Sequence, residues 1–236
     1  MPPKKQRSSY PNRTAVTEES RNLRPDHYPA FINLIGKKCV VVGGGKVSER
    51  KTSALVRAGA HVYVISPELT VRLEKMKLSG AIKHVARPYR KGDLKGAFLA
   101  IAATSNEKVN RTVAGDASFL VNVVDFPGQS NFITPAVVAR GPLTIAVSTG
   151  GASPAMAAEV RRELELLYGN DMARYIAFLS KLRKEAMKTV ADRKVRENFL
   201  RRAASKEIMD ILRGEGLEKA KEKMLLELSE LRKQND

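Results

Sequence analysis

Two short stretches hold the residue types that do chemistry. The first is Lys38–Lys51, KCVVVGGGKVSERK, where a β-branched run (Cys39, Val40, Val41, Val42) leads into three glycines. A segment of helical character follows, from Lys46 through Ala58. In the order strand, glycine turn, helix, a G-x-G-x-x-G-like pattern reads as a dinucleotide site. Gly43 allows the tight turn, and Gly45 lets the backbone approach a pyrophosphate on the amide-rich helix N-terminus. The third glycine position is Ser48, so the fingerprint is imperfect and a purely structural turn stays open. The second stretch is an apolar strand, Val121–Val124, ending in Asp125 and a turn, Phe126-Pro127-Gly128. A carboxylate there is able to accept a proton. An aspartate before a turn equally hydrogen-bonds its own backbone.

Metal chemistry finds no comparable pattern. The histidines are His27, His61 and His84, none at a helical or turn spacing from another, and Cys39 is the one cysteine. No protein-built metal site is expected from such a set.

Alternating elements are needed to bring these residues to one edge. Lys38–Val42 reads as a strand, Lys46–Ala58 as a helix, and His61–Ser66 (HVYVIS) as the second strand. Pro67–Ser79 is read as helical, with Leu69, Leu73 and Met76 on one face. Ala81–Val85 is a short third strand. Ala97–Ala103 (AFLAIAA) has the small-apolar character of a strand buried on both faces. Glu107–Ala117 reads as a helix and Leu120–Val124 as a fifth strand. This alternation predicts an α/β fold with a Rossmann-like, doubly wound parallel sheet. The rhythm then changes. Asn131–Arg140 and Pro142–Ser148 read as two strands of a hairpin through Arg140-Gly141-Pro142. Ser153-Pro154 opens a helical region with an N-cap residue and a first-turn proline. About three helices are expected up to Arg232, broken near Gly169-Asn170 and Gly214–Gly216. The last carries an apolar stripe of Leu217, Met224, Leu225, Leu228 and Leu231.

Composition bounds the rest. The 236 residues carry 42 Lys and Arg against 25 Asp and Glu, a net charge of +17. Residues 31–154 hold 17 basic against 7 acidic side chains, a balance of +10, so the excess sits with the glycine turn. Aromatics are only 6% and no nucleic-acid motif is present, so nucleic acid is not the expected partner. Solubility and a small polyanion steered to a basic cleft both stay open, and charge alone does not choose between them. No run approaches the ~20 apolar residues of a membrane span. Residues 1–27 read as a disordered basic extension with no apolar signal core. Without a cysteine pair, a reducing cytoplasm is the default compartment.

Several segments jointly resemble one family. Tyr28–Leu34 (YPAFINL), Val41–Lys51 (VVGGGKVSERK), Ala100–Thr104 (AIAAT), Asn122–Pro127 (NVVDFP), Asn131–Ala136 (NFITPA) and Val147–Pro154 (VSTGGASP) occur in family-like order. The chain resembles the siroheme-synthase N-terminal, precorrin-2 dehydrogenase family, which includes bifunctional dehydrogenase/ferrochelatases. The resemblance implies NAD-dependent oxidation of precorrin-2 to sirohydrochlorin, in which the tetrapyrrole loses a hydride and a proton. It implies NAD held by Gly43, Gly45, Lys46 and Val47, with Ser66, Pro67 and Glu68 at the end of the second strand and Ala103-Thr104 after the fourth. Glu68 stands where an acid would hold the ribose 2′-hydroxyl, or is merely a helix first-turn acid. Ser66 with Arg72 leaves NADP open, but a carboxylate there favours NAD. Asp125 becomes the candidate general base.

Further expectations rest on that likeness. Arg140 could pair with a substrate carboxylate or be a solvated arginine, and Gly150-Gly151 could approach ligand or simply lead into a helix. Iron or cobalt insertion would leave the macrocycle nitrogens as the principal metal ligands. A homodimer is implied, with residues 131–185 forming a dimerisation and active-site region between an NAD-binding domain (28–130) and a helical C-terminal region (186–236). The chain ends too soon to include the methyltransferase half of fused siroheme synthases, so methylation is expected of another protein. The rival reading is a non-catalytic, NAD-responsive module with a partner-binding helical tail. The resemblance does not cover residues beyond about Lys206.

Overall fold

A computed structural model describes residues 27–233, so the basic extension expected over 1–27 lies outside the described residues except for His27, which is exposed. The described residues form two compact units that divide between Ile133 and Thr134.

The first unit is the expected Rossmann-like α/β layer. Its strands are β1 (Lys38–Val42), β2 (His61–Ile65), β3 (Ile82–Val85), β4 (Leu99–Ala102) and β5 (Leu120–Val123). They form one parallel sheet in the order β3-β2-β1-β4-β5. Its helices are α1 (Lys46–Arg57), α2 (Val71–Leu78) and α3 (Glu107–Asp116). Alternate residues of a strand face opposite sides, and the two apolar cores follow that alternation. Cys39, Val41, Val62, Val64 and Ile101 pack on one side with Leu55 and Leu73. Val40, Val42, Ala100, Ala102, Val121 and Val123 pack on the other with Val113. Both faces of β1 and β4 are dry, which explains their uninterrupted apolar sequences. Burial pushes the Cys39 thiol up to about 11, so at neutral pH it is an inert apolar side chain.

Two departures from the sequence reading have local causes. Helix α2 begins at Val71, not at Pro67, because the Thr70 hydroxyl accepts a bond from Leu73 N–H at 3.3 Å and caps it. Residues 66–70 are left as a loop, and Glu68 is not a helix first-turn acid. Extended pairing in the hairpin starts at Ala136 instead of Asn131. Asn131 is used otherwise: its side chain accepts from Val121 N–H (2.7 Å) and donates to Phe119 O (2.6 Å), locking residues 131–132 against β5.

The second unit holds the antiparallel hairpin of β6 (Ala136–Arg140) and β7 (Leu143–Val147). Five helices follow: α4 (Pro154–Leu167), α5 (Asn170–Thr189), α6 (Arg193–Arg202), α7 (Lys206–Gly214) and α8 (Leu217–Lys233). The expected three helices become five because two breaks contain neither glycine nor proline. Asp192 caps α6 by accepting from Val195 N–H (2.8 Å), and Ser205 caps α7 through Ile208 N–H. Helix α5 runs continuously across residues 185 and 186. Helices α5 to α8 share one core of Tyr175, Leu182, Phe199, Ile208, Leu212, Met224 and Leu228. The Tyr175 hydroxyl donates to Ala203 O at 2.8 Å inside it, and burial pushes its pKa up to about 12. In the C-terminal stripe Leu225 is exposed, and Ala220 takes the buried place instead.

Candidate functional site

The carboxyl ends of β1, β4 and β5 are level with one another. Val42 pairs with Ala102, and Ala102 with Val123, so the loops after these strands emerge side by side. In this strand order the crevice between β1 and β4 is the topological switch point, where open α/β sheets bind ligands.

The glycine turn has three glycines with three duties. Gly43 sits at φ 120°, and a Cβ there would lie 2.4 Å from Ala103 O. Gly44 was not singled out by sequence, yet it is the tightest point: a Cβ there would lie 1.8 Å from Glu68 O. Gly44 O also accepts from Thr70 N–H at 3.0 Å, joining the turn to the β2–α2 loop. Gly45 is different. It is the N-cap of α1 at φ −83°, with no side-chain cap, and a Cβ there would meet nothing within 4 Å. The first two glycines therefore serve the chain's own packing, whereas Gly45 borders open space.

That space suits the phosphates of a dinucleotide. The opening amides of a helix lack intrahelical acceptors and favour an anion. Lys46 and Val47 supply them on α1, and the Lys46 side chain is 86% exposed. Ser48, at the third glycine position, is fully buried and its hydroxyl donates to Ala103 O at 3.3 Å. It ties α1 to the end of β4, where glycine would only allow close approach. Glu49, also in the first turn, is occupied: it accepts from the Thr70 hydroxyl at 2.5 Å. Ser66 is buried beneath the turn, and its hydroxyl would lie 2.7 Å from a Cβ on Gly44. Pro67 and Glu68 are exposed beside it. These residues are of a kind that could hold NAD(P), the α1 amides suiting phosphate and the Ser66–Glu68 segment a ribose.

Ala103 and Thr104 form the wall after β4. Asn110, missed in the sequence, holds it. This residue is 3% exposed; its Oδ1 accepts from the Thr104 hydroxyl (2.7 Å) and Thr104 N–H (3.2 Å), and its Nδ2 donates to Thr104 O (2.9 Å). An asparagine one turn into α3, six residues after a threonine, was the available signal.

Asp125 follows β5 by two residues. Its φ of 65° makes it the one non-glycine residue in the left-handed region among the described residues. The surrounding turn is tied by other groups. Ser130 Oγ accepts from Val123 N–H at 2.9 Å, Phe126 N–H donates to Val123 O, and Val124 N–H donates to Ala102 O. The Asp125 carboxylate is exposed and has no hydrogen bond or ion pair with any described residue. The expected alternative, an aspartate bonding its own backbone, is not what the turn does.

Arg140, Gly150 and Gly151 belong to the second unit. Arg140 ends β6, donates to Ala139 O at 3.0 Å, and buries its Nε without a partner among the described residues. Gly150 and Gly151 have φ of 64° and 93° in the loop before α4, which alone explains glycine there. Added Cβ atoms at both would meet nothing within 4 Å. The loop is closed by Thr149 Oγ1, which accepts from Ser153 N–H, and Ser153 caps α4 through Met156 N–H at 3.2 Å. No cluster of three or more His, Cys, Asp or Glu able to hold a metal occurs among the described residues. Nor is any helix among them long and apolar enough to cross a membrane.

Comparison with known proteins agrees with this geometry. Residues 30–136 match the family described as putative NAD(P)-binding, and residues 140–166 match the sirohaem biosynthesis protein central family. A siroheme synthase of Methylobacillus flagellatus is 44% identical over 163 residues, covering 68% of this chain and 35% of that protein. A siroheme synthase of Chromobacterium violaceum is 38% identical over 177 residues, covering 74% of this chain and 38% of that protein. The chain thus spans a little over a third of the length of these relatives. Among solved structures, SirC, a precorrin-2 dehydrogenase, shares the fold with a TM-score of 0.75 at 23% identity, over 86% of this chain and 100% of that one. In chain order, residues 30–136 thus resemble an NAD(P)-binding family and residues 140–166 the sirohaem biosynthesis central family.

Proposed function

We propose that this protein oxidises precorrin-2 to sirohydrochlorin with NAD, as a homodimer in the cytoplasm. The observation that carries the reading is the Asp125 carboxylate, exposed at φ 65° and free of bonds to its own turn. A left-handed residue whose side chain makes no bond to its own turn is the pattern of a functional position. Strands are spaced about 4.8 Å, so a loop two strands from β1 lies roughly 10 Å from the glycine turn. A dinucleotide extended across β4 from that turn has the length to reach it.

NAD, when bound, accepts the hydride. The chain's own residues do the rest. The α1 amides and Lys46 orient the phosphates, and the Glu68 carboxylate holds the ribose 2′-hydroxyl and repels a 2′-phosphate. Thr104, fixed by Asn110, walls the crevice. Asp125 takes the proton that leaves the macrocycle as the hydride departs, which needs an ionised, accessible carboxylate. Arg140, Gly150 and Gly151 contact the substrate's carboxylate rim, and residues 131–185 make the dimer. Residues 28–130 are the NAD-binding part and residues 186–236 a helical support.

The test is Asp125→Asn, assayed anaerobically with precorrin-2 and NAD by NADH formation. Asparagine tolerates the left-handed backbone as aspartate does but cannot accept a proton at neutral pH. Saturated turnover should fall about 10²-fold or more, with NAD affinity unchanged. Turnover near the wild-type value would return Asp125 to a turn role. Failure of the wild-type protein to reduce NAD with precorrin-2 would remove the activity itself.

A further inference from the structure

The opposite edge of the same sheet holds a second concavity. Its volume is about 840 Å³, and it is walled by the amino ends of β1, β4 and β5 with the 91–98 loop. Lys37, Lys38, Lys91 and Lys95 line it, with Phe98 and Phe119, and Asp116 is the one carboxylate in the wall. Each strand rises about 3.3 Å per residue, which sets this cleft roughly 15 Å from the glycine turn. It therefore cannot be part of the cofactor crevice.

Three features distinguish it from an ordinary solvated surface. First, none of the four ammonium groups has a carboxylate within ion-pair distance among the described residues, although many basic side chains of this protein do. The Asp116 carboxylate is engaged by the Tyr89 hydroxyl at 2.8 Å. Second, the wall is preorganised. Lys38 Nζ donates to Lys95 O at 2.7 Å, and the 87–93 loop is clamped by Arg87, whose guanidinium donates twice to Asp93. Asp93 also accepts from Arg90 N–H at 2.8 Å. Third, Phe98 and Phe119 stack at 5.9 Å, Lys37 Nζ lies 5.7 Å from the Phe98 ring centre, and Phe119 is 63% exposed. Uncompensated like charges held around a concave, partly aromatic wall repel one another and are relieved by a multivalent anion. The cavity has the size of a small-molecule site.

We propose that this amino-edge cleft binds a small multivalent anion, a polycarboxylate or a polyphosphate, independently of the cofactor crevice. The inference does not depend on the reaction proposed above.

Calorimetry on the full chain at low salt tests it, with benzenehexacarboxylate and tripolyphosphate as probes. One site per chain should appear for at least one probe, weakening as salt rises. Binding of the hexacarboxylate alone identifies a polycarboxylate site, and of tripolyphosphate alone a phosphate site. The paired change Lys37→Ser with Lys91→Ser involves exposed side chains and should leave the fold intact. It should weaken the bound probe tenfold or more and leave NAD affinity unchanged. The charge-matched control, Lys75→Ser with Lys108→Ser, lies elsewhere on the same unit and should change probe affinity less than twofold. Absence of binding by both probes would overturn the proposal. So would equal losses in the two paired variants, because the effect would then be net charge and not the cleft.

Discussion

The glycine turn makes opposite demands at adjacent positions, and alanine substitution separates them. At Gly43 an alanine must adopt φ 120° and bring its methyl to 2.4 Å from Ala103 O, a backbone atom pinned by β4. Left-handed backbone costs an L-residue about 1–2 kcal/mol, and relieving an overpacked contact costs about 1–3 kcal/mol more. Gly44→Ala avoids the φ penalty but meets Glu68 O at 1.8 Å, so the β2–α2 loop must move away from the turn. Each variant should lose about 3 kcal/mol, or roughly 10 °C in melting temperature for a chain of this size. Gly45→Ala has an ordinary φ of −83° and open space around the new methyl. Reduced unfolded-state entropy offsets the weaker N-cap, so its stability should stay within about 1 kcal/mol of wild type. The same methyl projects where phosphate must approach the α1 amides, and NAD affinity should fall tenfold or more, about 1.4 kcal/mol. Thermal unfolding followed by circular dichroism and NAD titration by calorimetry read the two effects separately. Wild-type NAD affinity in Gly45→Ala would refute the phosphate placement. A wild-type melting temperature in Gly44→Ala would refute the packing argument.

Asn110→Ala strips the buried bonds that fix Thr104 and should cost about 2 kcal/mol in denaturant unfolding. It should also raise the KM for NAD, and an unchanged KM would leave Asn110 a purely structural residue. Hydrogen bonding from the Arg87 guanidinium holds the Asp93 carboxyl below its ordinary value. The native state thus binds this proton less readily than the unfolded chain. The pair's stabilisation is full above about pH 4 and drains as pH falls through the depressed native value. Asp93→Asn should accordingly be less stable than wild type at neutral pH, with the gap closing in acid. A gap constant from neutral to strongly acidic pH would contradict the linkage. If charge steers an anionic tetrapyrrole, kcat/KM should fall with salt while NAD affinity changes little; a salt-insensitive rate would return the charge to solubility.

Much of this arrangement was legible because two periodicities dominate it. The strand at Lys38–Val42 matches its sequence reading end to end, since a β-branched run bounded by glycines has no competing helical pattern. Ser153-Pro154 likewise capped α4 as read. What escaped depended on side-chain and backbone contacts that carry no periodic signal. Gly44 looked like the spare residue of a G-x-G pair, and its necessity arises only when Glu68 O arrives from the next loop. Asn110 is indistinguishable from a solvated helix residue until Thr104 folds over it. Asn131 had strand-like neighbours, but its amide was worth more bridging Val121 and Phe119 than extending a hairpin. The missed helix breaks at Asp192 and Ser205 relied on side-chain caps, which are weaker punctuation than glycine.

The sheet's two ends work under different electrostatic rules, and this decides how they can influence one another. At the carboxyl edge the proposed phosphate contacts are the α1 amides, with fixed partial charges of short reach, and the single ammonium of Lys46, so binding there should depend on close approach and hence on Gly45. At the amino edge the charges are four full ammonium groups, whose reach is set by screening. At physiological salt the Debye length is about 8 Å, roughly half the ~15 Å that a five-residue strand puts between the edges. An anion held at the amino edge therefore neither competes with nor appreciably strengthens dinucleotide binding by charge alone. Any coupling between them must travel mechanically, through β1, whose first residue carries the Lys38–Lys95 bond and whose last leads into Gly43. Because Cys39 to Val42 are buried on both faces and paired with two neighbours, that strand has little freedom to shift. NAD affinity measured with the cleft saturated by anion should consequently equal that of the empty protein within twofold, and a larger change would show that β1 moves.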